Sequence, residues 1–283
     1  MAAHRIDYYT IDELMALCLA RTICDGDTVF NGVAVPLPFT GIMLARKTHA
    51  PNCVFLGGLL AGLNPQPPFL PQTSGDSVML QGAEMVMHLH NIFDMTMRGE
   101  LDRIFFSGAQ IDKYGNMNNT MIGKDGKIRI KLPGGAGSSH VGCFARNYTI
   151  WSVRHDAKEG KGGGKIYSMV DRVDFITTLG RRTVEATRKE LGVKGGGPDA
   201  VVTNLGTFDF DPDTEIMRIK SLHPGVTLAQ VQENTGFDPV VPENISETPA
   251  PTPEEVGLIR AIDPLESRKR GFSAEALARK YDF

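Results

Sequence analysis

The sequence predicts a single α/β domain that combines parallel strands with antiparallel additions. Short apolar segments alternate with amphipathic helices over the N-terminal part of the chain. A βαβ order of this kind requires a crossover connection, so the strands are expected to pair in parallel in a covered sheet. Further along, Tyr114-Gly115-Asn116 separates two alternating segments as the turn of a hairpin does.

Composition places the chain among globular proteins. Its 283 residues are 41% hydrophobic and 22% charged, and the net charge of -3 gives no basic excess for nucleic acid or an anionic membrane. No apolar run reaches the roughly 18–20 residues that cross a bilayer, and residues 1–9 are not expected to form a signal peptide. The four cysteines lack CxxC spacing, which predicts neither a disulfide framework nor a zinc site. We expect a cytoplasmic protein.

A capping box begins the first helix. Thr10 and Glu13 have the spacing at which each side chain accepts the other residue's backbone N–H, and apolar residues follow at helical spacing until Gly26. Prolines then bound a second helix. The strand, helix and strand that follow are predicted at Thr28–Asn31, about Phe39–His49 and Cys53–Leu56.

The later elements are shorter. Residues 57–77 are rich in proline and glycine and predict a loop at the edge of a site. The proline-rich segment Pro239–Pro253 indicates an extended strap, so a strap and helices are expected from about residue 239, within one domain of residues 1–283. The remaining predicted elements are a helix at about Asn91–Arg98, strands at Arg103–Phe106, Thr149–Arg154, Val173–Thr177, Ala200–Asn204 and Ile216–Leu222, and helices that begin at Thr227 and Thr252.

Leu132–Ser139 is the segment that most strongly suggests chemistry. It contains Gly134, Gly135, Ala136 and Gly137. Such small residues let backbone N–H groups approach a ligand oxygen closely, as an oxyanion or phosphate site requires. The segment matches neither the P-loop nor the dinucleotide-binding fingerprint. A plain surface loop is the alternative interpretation.

Polar side chains also surround the predicted hairpin turn. Gln110, Asp112, Asn116 and Asn118 could orient a polar substrate. Asn and Asp also occupy turns for backbone reasons alone. By themselves, these residues favour a structural role.

Three other patterns are weaker. His88 and His90 alternate like two metal ligands on one strand face, but no matching cysteine or carboxylate spacing accompanies them. Asp209–Asp213 lacks the glycine and the closing glutamate of a calcium loop, and a hairpin turn accounts for it better. The glycine-rich runs at 160–165 and 194–197 predict flexible surface links.

The turn segment Gly108–Asn118 and the glycine loop together resemble the β-type subunits of family I CoA-transferases. Members with a similar pattern include the β subunit of glutaconate CoA-transferase and the small subunit of the steroid ring-opening CoA hydrolase. The likeness covers most of the chain in collinear order. The other segments that carry it are Ala50–Cys53, Val201–Thr203, Glu233–Asp238 and Leu258–Pro264, and the likeness to the hydrolase subunit is carried by Asn204–Phe210 and Ser221–Thr227.

The resemblance implies an open, mostly parallel sheet with antiparallel hairpins, and an α-type partner subunit with a shared active site. It also implies a CoA thioester as substrate, with no permanently bound cofactor and no metal. In transferases of this type, a glutamate just after the strand at Cys53–Leu56 attacks the thioester and carries the acyl group and CoA covalently. In the best register Gly58 stands there, and no Asp or Glu occurs between Asp27 and Asp76. We expect the vacated volume to admit water or a bulkier substrate.

The missing glutamate favours a hydrolase over a transferase. The resulting hypothesis is the β-type subunit of a heterodimer or heterotetramer that cleaves a carbon–carbon bond, or opens a ring, in a carboxylated CoA ester. The partner is expected to supply any general base, and Glu84 is the one weak substitute in this chain. The predicted oxyanion donors are Gly134, Gly135, Ala136 and Gly137, and the predicted substrate-orienting residues are Gln110, Asp112, Asn116 and Asn118.

Three alternatives stay open. The chain could belong to a true CoA-transferase, of the glutaconate or 3-oxoacid type, whose nucleophile lies elsewhere. It could belong to a decarboxylase that acts on a glutaconyl-type CoA ester. It could also be a non-catalytic subunit.

Overall fold

A computed structural model describes residues 6–32, 36–124, 127–160 and 163–283. Within these residues the helices are α1 (Ile11–Ala20), α2 (Pro36–Lys47), α3 (Leu89–Met97), α4 (Ser138–Phe144), α5 (Leu228–Asn234), α6 (Pro253–Ile262) and α7 (Ala274–Ala278). Short 3-10 turns lie at Gly58–Leu60, Ser77–Leu80 and Ser267–Lys269.

The strands are mostly short, and they follow in chain order. They are β1 (Thr28–Asn31), β2 (Val54–Gly57), β3 (Gly62–Leu63), β4 (Met85–Val86), β5 (Arg103–Phe106), β6 (Gln110–Asp112), β7 (Met117–Asn118), β8 (Met121–Lys124), β9 (Lys127–Lys131), β10 (Asn147–Ser152), β11 (Lys158–Glu159), β12 (Lys165–Ile166), β13 (Met169–Val170), β14 (Pro198–Thr203), β15 (Gly206–Phe210), β16 (Met217–Leu222) and β17 (Ser246–Glu247).

The chain forms two compact units. The first contains the described residues of Met1–Met95 together with Leu101–Phe105 and Pro249–Phe283, and the second contains Thr96–Glu100 and Phe106–Thr248. The C-terminal helices α6 and α7 therefore belong to the first unit. That residues 1–283 form one domain stays a prediction.

The first unit contains the predicted βαβ arrangement. Strand β1 pairs in parallel with both β2 and β5, and β3 and β4 continue from β2 in antiparallel order. The predicted capping box is confirmed, because the backbone N–H and the hydroxyl of Thr10 donate to Glu13 Oε2 over 2.9 and 3.0 Å. All ten residues of α1 are buried. The α/β class is thus confirmed at the N-terminal end of the chain.

The charged residues of α1 are buried as an ionic cluster. Arg268 is 2% exposed, and its guanidinium lies 2.8 Å from Asp12 Oδ2, 3.2 Å from Asp263 Oδ2 and 3.4 Å from Glu13 Oε1. Burying an unpaired charge is expensive, so opposite charges are buried together. The cluster ties the C-terminal part of the first unit to α1.

The second unit combines parallel and antiparallel strands. Strand β10 pairs in parallel with β14, and β14, β15 and β16 form an antiparallel succession with β17 parallel at its edge. The predicted turn at Tyr114-Gly115-Asn116 is confirmed, because β6 and β7 pair in antiparallel register around it. The turn at Asp209–Asp213 also lies between two antiparallel strands, as predicted. The capping boxes at Thr227 and Thr252 are present.

Two local predictions are wrong. Helix α2 begins at Pro36 rather than near Phe39, since prolines fit the first turn of a helix, where no N–H partner is needed. The predicted strand Val173–Thr177 is absent from the strands of the described chain. The weak pattern of His88 and His90 does not lie on a strand, because His90 is in the first turn of α3 and His88 directly precedes that helix.

The glycines at 195–197 are tightly packed rather than flexible. A Cβ at Gly195 would lie 2.9 Å from the Cys143 carbonyl oxygen, and one at Gly196 would lie 3.0 Å from Asn147 Oδ1. The buried Arg188 also donates through Nε to the Gly195 carbonyl over 2.8 Å. Close backbone approach therefore explains these glycines. Of the other predicted link, residues 161–162 lie outside the described residues.

No helix in the described ranges is long and apolar enough to cross a membrane.

Candidate functional site

The residue that the sequence predicts at the position of the family nucleophile is held in a closed turn. Gly58 follows β2 directly, is buried, and has a φ of 59°. Its N–H donates to Asn31 Oδ1 over 2.9 Å. The left-handed backbone favours glycine over any residue with a Cβ.

The space beside Gly58 is filled. A Cβ built on Gly58 would overlap the Ser74 Cβ and would lie 2.8 Å from the Ser74 carbonyl oxygen. Ser74 is 3% exposed, and its hydroxyl donates to the Gly32 carbonyl over 3.0 Å. The expectation of an empty volume beside Gly58 is therefore wrong. Ser74, from the proline- and glycine-rich segment, occupies the space that the first side-chain atom would need.

Two other side chains of the first unit could be considered as replacement nucleophiles. Cys53 is 2% exposed, and burial raises the pKa of its thiol to about 12, which keeps it protonated near neutral pH. Glu84 is exposed, and its carboxylate accepts Asn64 Nδ2–H over 3.2 Å. Asn64 in turn accepts the Phe55 N–H through Oδ1. The structure therefore places Glu84 in a surface turn.

In the second unit, Asp112 and Asn116 close the hairpin turn. Asp112 Oδ1 accepts the backbone N–H groups of Tyr114 and Asn116, both over 3.0 Å. The Asn116 amide donates to Asp112 Oδ2 and to the Arg182 carbonyl, and its oxygen accepts the Gly180 N–H over 2.8 Å. Burial raises the pKa of Asp112 to about 6. Both side chains use their hydrogen-bonding capacity within the protein.

Asn118 and Gln110 form the next part of the same network. The Asn118 amide donates to Gln110 Oε1 over 2.7 Å and to the Met121 carbonyl, and its oxygen accepts the Thr120 N–H. Gln110 Oε1 also accepts the Asp174 N–H over 3.1 Å. Gln110 Nε2 donates to no acceptor within the described ranges. It is thus the one amide group among the four predicted substrate-orienting residues that keeps a free donor.

The glycine loop has an unusual backbone. Gly134 has a φ of 97°, and Ala136 has a φ of 46°, which is uncommon for a residue with a Cβ. Gly135 is packed closely, because a Cβ there would lie 2.5 Å from Thr177 Cγ2 and 2.8 Å from Ser138 Oγ. Backbone strain of this kind concentrates at functional sites.

The N–H groups of the loop divide into two sets. The Gly134 N–H donates to the Asn119 carbonyl over 2.7 Å, so it is used to anchor the loop. The N–H groups of Gly135, Ala136 and Gly137 find no acceptor in the part of the chain that the structure describes. Three successive backbone donors can therefore face a ligand oxygen.

Asn119 and Thr177 bring the turn and the loop together. The Asn119 N–H donates to Thr177 Oγ1 over 2.9 Å, while the Asn119 carbonyl accepts the Gly134 N–H. Thr178 Oγ1 donates to Ser138 Oγ over 2.8 Å. Sequence reasoning missed both threonines, since nothing local links them to residues about 40 to 60 positions earlier in the chain.

Two buried histidines of the second unit also escaped prediction. His155 contacts the hydroxyls of Thr203 and Thr235 over 3.0 and 2.8 Å. His223 contacts the Thr248 hydroxyl and the Thr203 carbonyl. Desolvation lowers their pKa values to about 3 and about 4, so both rings are neutral at ordinary pH. They form a neutral polar core.

A metal centre has no geometric support in the described residues. Their His, Cys, Asp and Glu side chains form no group of three that could hold a metal ion. His88 and His90 stack on each other with ring centroids 5.3 Å apart. At Asp209–Asp213, Asp209 pairs with Arg218 over 2.8 Å, and Asp211 accepts the Thr214 N–H.

The sequence is similar to subunits of characterised enzymes. The family described as Coenzyme A transferase matches residues 13–234. The B-type subunit of 3-oxoadipate CoA-transferase from Pseudomonas knackmussii is 32% identical over 90% of this chain and 94% of its own length. The B-type subunit of glutaconate CoA-transferase from Acidaminococcus fermentans is 30% identical over 90% and 93%. The cholesterol ring-cleaving hydrolase IpdB subunit of Mycobacterium bovis is 28% identical over 91% and 96%.

Three solved structures contain chains of the same fold. Glutaconate coenzyme A-transferase from Acidaminococcus fermentans has a TM-score of 0.78 and 28% identity, over 92% of this chain and 98% of that one. The decarboxylase AibA/AibB has a TM-score of 0.77 and 31% identity, over 94% and 99%. IpdAB from Rhodococcus jostii has a TM-score of 0.76 and 26% identity, over 94% and 99%.

Proposed function

The chain belongs to the coenzyme A transferase family, as a B-type chain, and from this membership we propose that it acts on a carboxylated acyl-CoA thioester together with an A-type subunit. Two relatives are named as B-type subunits of CoA-transferases, and the similar structures AibA/AibB and IpdAB carry two chain names each. These names support a two-chain enzyme, either a heterodimer or a heterotetramer, with CoA present as part of the substrate rather than as a bound cofactor.

The observation that carries the choice of reaction is the closed turn at Gly58. Transfer through a covalent glutamyl intermediate needs a carboxylate at this position. Here the backbone is left-handed and Ser74 occupies the space of the first side-chain atom. Cleavage of a carbon–carbon bond by water needs no such carrier. We therefore favour hydrolytic ring opening, or hydrolytic cleavage of a β-keto CoA ester, over CoA transfer.

This reaction depends above all on stabilising the thioester oxygen, where the negative charge of the enolate collects. Water adds to the β-carbonyl and forms a tetrahedral alkoxide. When the alkoxide collapses, the bond between the α- and β-carbons breaks and its electron pair moves into the thioester carbonyl as an enolate. Protonation of the α-carbon completes the acyl-CoA product. The former β-carbonyl becomes a carboxylic acid, which is released from a linear substrate and stays attached in a ring-opened product.

The glycine loop offers the hydrogen-bond donors that would stabilise this enolate. Backbone N–H groups aimed at a developing negative charge stabilise it without reorganisation, and each such donor lowers a barrier by about 3 kcal/mol. The unpaired N–H groups of Gly135, Ala136 and Gly137 are assigned this role, and Gly134 anchors the loop through Asn119. Gln110, which keeps a free amide donor, is assigned to orient the substrate.

The general base is assigned to the A-type subunit. Asp112 has a raised pKa, which often marks a functional carboxylate. However, its oxygens accept hydrogen bonds from the turn that it closes. Asp112, Asn116 and Asn118 are therefore positioning residues for the loop, and their role toward substrate is indirect.

Decarboxylation is the second candidate. When a glutaconyl-type CoA ester loses carbon dioxide, the electron pair of the broken bond moves through the double bond into the thioester carbonyl and forms a dienolate. Its charge also rests on the thioester oxygen, so the same loop N–H groups would serve and no water would be consumed. The similarity to the decarboxylase AibA/AibB supports this alternative. Water addition and decarboxylation thus differ in the substrate rather than in the oxyanion site.

An isotope experiment separates the possibilities. The chain, assembled with the A-type subunit of the same genome, is incubated with a carboxylated 3-oxoacyl-CoA in H₂¹⁸O, with and without an acceptor acid. Hydrolytic cleavage predicts one ¹⁸O in a released or ring-opened carboxylic acid and no need for the acceptor. In a parallel incubation with a glutaconyl-type CoA ester, release of carbon dioxide without an acceptor acid identifies the decarboxylase.

Transfer would be recognised by covalent trapping. CoA transfer to the acceptor, with a hydroxylamine-sensitive thioester on this chain or inactivation by borohydride, would contradict the proposal. Free CoA with an unshortened acid would indicate thioester hydrolysis instead. A complex that turns over no CoA ester would favour a non-catalytic subunit.

A further inference from the structure

A cavity of about 430 Å³ lies within the first unit. Helix α2, the segment 66–70 and helix α6 form its walls. Met43, Leu70 and Ile262 line it, and none of these residues is more than 8% exposed. Sites for small molecules usually measure about 300–1,000 Å³ and are mostly apolar. This cavity therefore has the size and the walls of a site for a small ligand.

The polar side chains of the cavity are cationic or neutral. They belong to Arg46, Lys47 and Gln66, and the lining contains no carboxylate. Arg46 and Lys47 lie in the last turn of α2, where the helix dipole favours cations. Neither forms an ion pair with another described residue. The cavity is therefore bordered by two positive charges that no carboxylate of the described chain neutralises.

The guanidinium of Arg46 keeps most of its hydrogen-bonding capacity unused. Its Nη1 donates to the Pro65 carbonyl over 3.4 Å, which is long for a bond that usually measures about 2.9–3.0 Å. Its Nε is covered by protein atoms and donates to no acceptor in the described chain. A covered donor without an acceptor costs free energy. An anion that drew the guanidinium toward the cavity would supply the missing acceptor.

These features select the kind of ligand. The unpaired cations require an anion, and the apolar walls require an apolar body. A strongly hydrated dianion such as phosphate would lose much of its hydration beside apolar walls, and burying a charge is expensive unless hydrogen bonds replace that hydration. A carboxylate brings one charge and two acceptor oxygens that match the geometry of a guanidinium. A carboxylate with a compact apolar body therefore fits better than phosphate or a neutral molecule.

The segment that closes the turn at Gly58 also forms one wall of the cavity. It supplies Leu70 to the lining and Ser74 to the space beside Gly58. Pro65, which accepts the Arg46 bond, packs on the residue before Gly58, because a Cβ at Gly57 would lie 2.6 Å from Pro65 Cγ. A ligand that contacts α2, α6 and this segment at once would stabilise the segment in its closed position.

We propose that this cavity, which we term the carboxylate pocket, binds a carboxylate with a compact apolar body, as in a medium-chain carboxylic acid. Arg46 and Lys47 hold the carboxylate group, while Met43, Leu70 and Ile262 contact the apolar body. The pocket lies entirely within the first unit, whereas the glycine loop belongs to the second. It is a second ligand site, and its existence does not depend on the proposed function.

The test uses octanoate as the probe, titrated into the full chain and followed by calorimetry. Arg46→Gln and Lys47→Gln each remove one cation of the pocket. Arg270→Gln is the matched control, because it makes the same charge change at an exposed residue of the first unit that does not line the cavity. Ala261→Glu places a carboxylate at an exposed position of α6 in the lining. Circular dichroism and the thermal midpoint check folding.

We expect one octanoate to bind per wild-type chain. Arg46→Gln should weaken binding by about ten-fold, because it removes a charge-assisted hydrogen bond. The more exposed Lys47 should contribute about three-fold, and Ala261→Glu should weaken binding by at least about ten-fold through repulsion. Arg270→Gln should bind like the wild type. 1-Octanol, which lacks the charge, and inorganic phosphate, which lacks the apolar body, should each bind at least about ten-fold more weakly than octanoate.

Methyl-group NMR of the wild type shows where octanoate binds without any substitution. The methyl signals of Met43, Leu258 and Ile262, which line the pocket, should shift as octanoate is added. Val29, which is buried in the first unit outside the lining, is the reference signal and should not shift. Shifts at Val29 with none at the lining residues would contradict the assignment.

Several other outcomes would overturn the carboxylate pocket. They are no saturable binding of octanoate to the wild type, full affinity in both Arg46→Gln and Ala261→Glu, an equal loss in Arg270→Gln, and octanol or phosphate that binds as tightly as octanoate. Displacement of octanoate when the A-type subunit is added would make the cavity part of a subunit interface instead. None of these measurements requires turnover of a CoA ester, so a failure of the proposed function would leave the pocket intact.

Discussion

Two glycine segments of this chain use their backbone in opposite ways. At Gly58 the N–H is buried against Asn31 and Ser74 occupies the space of a side chain, so the turn is closed to a ligand. At Gly135 a Cβ would also lie too close to its neighbours, but the N–H groups of Gly135, Ala136 and Gly137 lack acceptors in the described chain. A covalent mechanism needs a nucleophilic side chain, whereas stabilisation of an oxyanion needs only hydrogen-bond donors. The turn at Gly58 therefore offers no side chain for the first mechanism, and the loop N–H groups are the donors that we propose for the second.

Restoring a carboxylate at Gly58 should be the most disruptive change. Gly58→Glu places a Cβ in a left-handed position and against Ser74, and the sum of backbone strain and overpacking should cost about 3–5 kcal/mol of unfolding free energy. Urea denaturation measures this. We expect no CoA-transferase activity in the variant.

The neighbouring Gly75→Ala is the matched control for this change. A Cβ at Gly75 would meet its nearest atom, Leu59 Cδ1, at an ordinary 3.6 Å. It should therefore change stability by less than about 0.5 kcal/mol. Efficient CoA transfer by Gly58→Glu, with wild-type stability, would show that the turn opens readily and would break the contrast between the two segments.

Changing the glycine loop should affect the reaction more than the fold. Gly135→Ala pushes a methyl group against Thr177 Cγ2 and displaces the loop N–H groups. Loss of one oxyanion donor typically lowers kcat by about 10²–10³-fold, or roughly 3–4 kcal/mol in the barrier. Steady-state kinetics of the assembled enzyme measure it.

Thr177→Ser provides the rescue for that variant. Serine keeps the hydroxyl that accepts the Asn119 N–H but removes the methyl group that the new alanine side chain would strike. We expect the double variant Gly135→Ala/Thr177→Ser to recover at least about ten-fold in kcat. A Gly135→Ala enzyme with wild-type kcat would show that the loop does not face the reacting oxygen.

Substitutions in the turn that supports the loop should distinguish a residue that stabilises the fold from a residue that binds substrate. Asn116→Ala leaves the Gly180 N–H and the Arg182 carbonyl without their partner, which should cost about 2 kcal/mol of unfolding free energy. Gln110→Glu keeps the side-chain oxygen that accepts Asn118 and Asp174 and removes only the free amide donor. It should therefore raise KM and cost less unfolding free energy than Asn116→Ala. The reverse pattern would assign the substrate contact to Asn116.

Local signals explain which elements could be predicted. Strands Thr28–Asn31 and Arg103–Phe106 have the predicted bounds, because short apolar runs between polar turns determine them. The capping boxes at Thr10, Thr227 and Thr252 place three helix starts correctly, since both partners lie within four residues. The glycine loop could be recognised from the sequence for the same reason, because its small residues are consecutive in the chain.

Long-range contacts explain what could not be predicted. Ser74 fills the space beside Gly58, and Thr177 bonds to Asn119, yet no local spacing links these positions. Val173–Thr177 has the composition of a strand, and the Thr177 N–H donates to the Met117 carbonyl of β7. However, Asp174 bonds to the Gln110 side chain and to the Gly123 N–H, so no continuous ladder forms among the described residues. The packing of Gly195 against Cys143 is likewise invisible to composition.

The contrast between the segments extends to the units that contain them, because their buried polar cores respond oppositely to acid. In the first unit, burial raises the pKa of Asp12, so its contribution to stability is present below about pH 3.8 and is lost as the pH rises. In the second unit, the neutral histidines have pKa values lowered to about 3 and about 4. Their contribution is full above about pH 6.5 and is lost as the pH falls.

The second unit should therefore lose stability with a predictable slope between pH 6 and pH 4. His155 and His223 are protonated in the unfolded chain in this range but not in the folded chain, so each lowers the unfolding free energy by about 1.4 kcal/mol per pH unit as the pH falls. Asp112, with its pKa of about 6, is protonated in the folded chain first, and this offsets the loss from one histidine. The net loss is about 1.4 kcal/mol per pH unit. The single tryptophan, Trp151, lies in β10 and reports this unit by fluorescence in urea titrations.

Two substitutions should change that slope in opposite directions. His223→Gln removes one histidine and should flatten the slope to about zero, whereas Asp112→Asn removes the offset and should steepen it to about 2.8 kcal/mol per pH unit. Both predictions concern the slope, so a uniform loss of stability in either variant does not affect them. A slope near zero in Asp112→Asn would mean that neither histidine is held neutral in the folded second unit, and its polar core would then resemble the ionic core of the first.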